Sequence, residues 1–98
     1  MRYLDLTPSV AKFFSSNILS APPHKGFSTA ETRLAFRIAD KVEPLVTDGG
    51  MLALEDQEYG FAKQWLEEQR FVHAFREIIE LSDVIEKAPS ENPAAAIN

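Results

Sequence analysis

The chain contains no cysteine, which excludes a disulfide framework and thiolate chemistry and fits a reducing compartment. It has four glycines, and none belongs to a phosphate-cradling loop, because Gly49-Gly50 lacks a following Lys-Ser/Thr. Histidine is scarcer still, with two residues. His73 and Glu77 stand at i, i+4, but a metal site needs three or four ligands, and His24, the other histidine, falls in a loop. The surface reading of this pair outranks the metal reading, so no metal and no cofactor is expected. Ser15, Ser16 and Ser20 have no nearby histidine in sequence and no glycine-flanked elbow, which removes the usual signature of an activated hydroxyl. The Glu67/Glu68 and Glu77/Glu80 pairs read as solvated helix faces rather than acid–base machinery. A non-enzyme is the expectation. No apolar run approaches membrane-spanning length, and "MRYLDLTPSV" has no long apolar h-region, so a cytoplasmic protein without membrane contact is expected.

What is present describes one domain. Ninety-eight residues, 45% of them apolar and ten of them aromatic, support one modest hydrophobic core without staples. The net charge of −5 is unevenly spread. Residues 1–54 hold six Lys/Arg against five Asp/Glu, and residues 55–98 hold four against ten. A divided charge of this kind disfavours general nucleic-acid binding, which needs a sustained basic surface, and favours protein contacts, including contacts between copies of the chain.

Periodicity supplies the elements. Tyr3–Leu6 alternates as a short strand. Thr7-Pro8 then opens a helix, with threonine as the cap and proline at the first helical position. Val10, Phe13 and Phe14 carry its apolar face to a stop near Ser20, where "SAPPHKG" forms a loop. Ser28 and Glu31 form a capping box, the clearest local signal in the chain. Ala30, Leu34, Ile38, Val42 and Leu45 make the inner stripe of the helix that follows, which ends or kinks at Pro44. Met51–Leu54 repeats the strand-then-helix pattern. It either pairs with Tyr3–Leu6, the preferred reading, or forms a hairpin with "PLV" across Asp48-Gly49.

From Asp56 to Lys87 there is no proline and only Gly60 among glycines. Tyr59, Ala62 and Leu66 share one face, Phe61 and Trp65 another. Phe71, Phe75, Ile78, Ile79, Ser82 and Ile85 form a clean stripe that continues the Phe61/Trp65 face but not the Tyr59/Leu66 face. The segment is either one helix or two with a bend near Gln69–Val72. The expected fold is mainly α: a small bundle of three or four helices over residues 1–88, with or without one short two-stranded β pair, and a tail at 89–98.

Two features point to a contact surface. Arg33, Arg37 and Lys41 stack at i, i+4, i+8 beside the inner stripe of their helix, although like charges at this spacing repel. They read as a solvated flank, as a docking surface for acidic groups of a partner or of this chain's own Glu-rich half, or, with Lys12 and Lys25, as a phosphate site. Phe36, on the far side of the same helix, and Phe61 and Trp65, off the Tyr59/Leu66 seam, are aromatics displaced from the primary stripes. One consequence is self-association through Phe36, Phe61 and Trp65. The competing outcome is a four-helix monomer, bent near Gln69, that encloses Phe61 and Trp65.

The stretches "LDLTP", "ETRLAFRIADKVEPL", "LALEDQEYGFAKQWLEE" and "DVIEKA" together resemble the small helical accessory proteins of bacteriophages. That resemblance transfers no catalytic residue. It implies a protein that binds, inhibits or scaffolds another. The functional expectation is a non-catalytic protein-binding module acting as inhibitor, adaptor or assembly factor, homo-oligomeric, with Arg33, Phe36, Arg37, Lys41, Phe61 and Trp65 as its contact residues. The alternative is a nucleic-acid-associated regulator using the Arg33/Arg37/Lys41 face.

Overall fold

The computed structural model describes residues 1–91. Strand β1 (Arg2–Leu6) places Leu4 and Leu6 inward and Asp5 outward, as its alternation requires. Helix α1 (Pro8–Asn17) starts where the sequence says it should: the Thr7 hydroxyl accepts from the Val10 N–H at 3.2 Å, and Pro8 occupies the first turn. Val10, Ala11 and Phe14 are its buried side. The loop through Pro22-Pro23 leads to α2 (Thr29–Val42). The Ser28 hydroxyl accepts from the Glu31 N–H at 3.1 Å, and the Glu31 carboxylate accepts from the Ser28 N–H at 3.0 Å. These two bonds satisfy amide groups that the first helical turn leaves without intrahelical partners. The Ser28 N–H also holds the Glu31 carboxyl below its usual range, with the hydroxyl adding to the effect.

The buried stripe of α2 is Leu34, Ala35, Ile38, Ala39 and Val42, whereas Ala30, expected within it, is exposed. The first helical turn extends past the edge of the core. Pro44 converts the helix end into one turn of 3-10 helix, Glu43–Leu45. The chain then reverses at Gly49, whose φ of +71° favours glycine and where a Cβ would sit 2.6 Å from the Leu6 carbonyl oxygen.

Strand β2 (Gly50–Leu54) pairs antiparallel with β1, with Leu4 opposite Leu52 and Leu6 opposite Gly50. The long-range pair therefore forms and the hairpin across Asp48-Gly49 does not. Leu4, Leu6, Leu52 and Leu54 make the sheet's apolar inner face. Helix α3 (Asp56–Glu68) and helix α4 (Arg76–Glu86) follow, so the stretch from Asp56 to Lys87 is two helices. Gln69 and Phe75 are both extended, with ψ of 142° and 141°. The interruption lets Phe71 turn back over Trp65 and Phe13, at centroid distances of 6.4 and 5.6 Å. A continuous helix would carry Phe71 past both rings.

The helices close a ring in which α1 packs on α2, α2 on α3, α3 on α4 and α4 on α1. The sheet packs against the ring through β1–α4 and β2–α2 contacts. After α4 the chain is tied to the free side of β1: the Tyr3 N–H donates to the Pro89 carbonyl at 3.0 Å, and Arg2 donates to the Ala88 carbonyl at 3.0 Å. Residues 92–98 of the expected tail lie outside the described residues. No helix among the described residues is long and apolar enough to cross a membrane.

Candidate protein-binding surface

The cation stripe of α2 divides into two unlike parts. Lys41 belongs to the fold. Its Nζ lies 2.6 Å from Glu58 Oε1, and the same oxygen accepts from the Glu55 N–H at 2.9 Å. Glu58 is 2% exposed and is the only buried charged residue among the described residues. A carboxylate buried to that degree requires a cation and a hydrogen-bond donor, and α2 and the N-terminus of α3 supply one each. Lys41 is thus a clasp between two helices rather than a free contact residue. Of the three cations of the stripe, Lys41 is the one that docks on the chain's own Glu-rich half among the described residues. A shallow depression of about 360 Å³ at this point is lined by Arg37, Asp40, Lys41, Glu55 and Glu58.

Arg33 and Arg37 are different. Both are exposed, and neither forms a salt bridge among the described residues. Phe36 lies beside them at i+3 from Arg33 and is 54% exposed. The capping box and the five buried residues of α2 fix the rotation of the helix, so Arg33, Phe36 and Arg37 must face outward together. Lys25, one of the two further cations considered for a phosphate site in this half, is paired with Glu68 at 2.9 and 2.7 Å. The Lys25 ammonium holds the Glu68 carboxyl below its usual range, and the same hydrogen bond raises Lys25.

The other two aromatics are inside. Trp65 is 2% exposed, sits between Phe14 and Phe71, and donates its indole N–H to the Ser20 carbonyl at 2.8 Å. As the chain folds, Trp65 presents no surface to a partner. Phe61 is half-buried against Phe27, with ring centroids 5.7 Å apart. The apparent conflict between the Tyr59/Leu66 and Phe61/Trp65 faces resolves physically. Glu58, Ala62 and Trp65 form one buried stripe, Tyr59 and Leu66 flank it on one side, and Phe61 flanks it on the other. The chain takes the bent four-helix arrangement, which encloses Trp65 and half-covers Phe61.

Sequence reasoning missed a second apolar exposure. Val72, Phe75 and Ile79 are 94%, 47% and 63% exposed, although Phe75 and Ile79 were expected in the core stripe. Helix α4 begins only at Arg76, and its buried residues are Leu81 and Ile85. The i, i+4 spacing of Leu81 and Ile85 carried this phase in the sequence. The neighbours Ile78 and Ile79 are 100° apart on a helix and compete for one inward seat. His73 lies against the edge of the Phe75 ring, 6.2 Å between centroids.

No protein-family model, curated protein or solved structure matches this chain. The functional reading therefore rests on the surface itself.

Proposed function

We propose that this chain is a non-catalytic protein-binding module, an inhibitor, adaptor or assembly factor of the type small phage accessory proteins represent. One observation carries the reading: Arg33, Phe36 and Arg37 form a continuous outward face on a helix whose inward face is already satisfied. Folding has no use for Phe36 at that position. Arginine and large aromatics are the residue types that concentrate at interface centres. A pair of guanidinium groups on one side of an aromatic ring suits a partner that offers carboxylates beside an apolar group. Nucleic acid is the weaker match, because Lys41 and Lys25 are engaged by Glu58 and Glu68, and Asp40 lies next to the face.

The test is retention of a partner from lysate of the source cell by the wild-type chain and by R33E/R37E, with a gel shift on short duplexes alongside. The reading expects one discrete protein, retained by wild type, lost from the variant and weakened by added salt, with no duplex shift. Equal retention by the folded variant contradicts it. A duplex shift abolished by R33E/R37E would instead support the nucleic-acid reading.

A further inference from the structure

The outer face of α4 is built as a seam. Phe75, Ile79, Ser82 and Glu86 follow one another at spacings of four, three and four residues, the repeat that keeps one line of side chains facing a partner helix. Ile79 and Ser82 of this line form one wall of a groove of about 170 Å³ between α3 and α4, whose floor is Leu66, Ile78 and Ile85 and whose rim carries Lys63, Glu67 and Glu86. The exposed Ile79 and an apolar-floored groove that it borders thus lie on the same face. This is the arrangement a two-fold contact requires, since each copy must offer both halves of the fit.

Charge selects the direction of pairing. Arg76 and Asp83, seven residues apart, lie on the same flank of the seam, and neither is in a salt bridge among the described residues. A parallel pair would hold these flanks on opposite sides of the seam and form no Arg76–Asp83 contact. An antiparallel pair with its axis near residues 79–82 sets Arg76 against Asp83 of the other copy, twice. It also brings Ile79 over the small Ser82 of the partner helix, next to the groove.

We propose that α4 is a self-association face that pairs antiparallel with α4 of a second copy through Ile79, Ser82 and the reciprocal Arg76–Asp83 contacts. The partner is the same chain. The surface is separate from the Arg33–Phe36–Arg37 face, so the two readings stand or fall independently.

Sedimentation over a concentration series to the high micromolar range tests this with R76E, D83R and their equimolar mixture. Each single variant brings like charges together twice per dimer and should weaken self-association by about tenfold or more. Mixing the two restores opposite charges at both contacts, so a mixed dimer should recover wild-type strength. R33E/R37E should associate like wild type. Circular dichroism and melting of each variant show whether it is folded, and Ile79→Ala supplies a charge-neutral variant that should also weaken association. A wild-type chain that stays monomeric throughout overturns the proposal. So does a mixture that associates no better than either variant alone.

Discussion

Helices α3 and α4 are joined by a short link and are similar in length, yet they use their apolar residues in opposite ways. Helix α3 spends them inside. Trp65 and Ala62 are buried, Tyr59 and Leu66 close one side, and Tyr59 anchors its hydroxyl on the Ile85 carbonyl. Helix α4 buries Leu81 and Ile85 and leaves Ile79 in water, preceded by Phe75 and Val72. Position in the ring explains much of the contrast. The N-terminus of α3 is clasped to α2 by the Lys41–Glu58 pair, and its far end is covered by the Ser20 carbonyl and the Phe71 ring. Helix α4 starts without a side-chain cap. The lesson is that amphipathy alone does not locate the core. A helix contributes as many inward seats as its neighbours enclose, and the remaining apolar residues become surface available to a partner.

The largest break in this comparison comes from removing a large side chain on each helix. Trp65→Ala should destabilise the fold by about 4 kcal/mol, because it empties a filled site and leaves the Ser20 carbonyl without its donor. Ile79→Ala should change stability by no more than about 0.5 kcal/mol, since that side chain is already hydrated. Chemical denaturation at dilute protein concentration measures both. Equal losses would mean that Ile79 is core.

A smaller difference is expected between two acidic residues, one on each helix. Glu58→Ala should cost about 2 kcal/mol, because the Glu55 N–H loses its acceptor and the α2–α3 clasp opens. Lys41 is partly exposed and can rehydrate, which keeps the loss below that of a fully buried pair. Asp83→Ala should leave the monomer within about 0.5 kcal/mol of wild type. Comparable midpoints for the two variants would remove Glu58 as an organising group.

Local chemistry made much of the fold legible. The Ser28/Glu31 box, the Thr7-Pro8 start and the Pro44 stop are interactions within a few residues, and each appears where the sequence places it. The β1–β2 pair was also readable, because both strands alternate and each needs a partner. The phases of α3 and α4 were harder to read. On α3, two apparent stripes are the flanks of one, a matter of how wide an apolar face its neighbours cover. On α4, the starting residue is set by Phe71 turning back over Trp65, a contact made in three dimensions. The candidate surface divided along the same line. Arg33, Phe36 and Arg37 follow from helix rotation alone and do lie together outside. Lys41, still partly exposed, is engaged by Glu58, and Trp65 is held inside with its N–H on the Ser20 carbonyl, partners distant in sequence with no local signal of the pairing.

The most direct measurement of the central claim is site-specific photo-crosslinking in the source cell, with the reactive side chain placed at position 36 and, as a control, at exposed position 57 on α3. The account predicts one discrete cross-linked partner at position 36, diminished when Arg33 and Arg37 are reversed, and none at position 57. A diffuse or identical pattern at the two positions would show that the outer face of α2 is ordinary solvated surface.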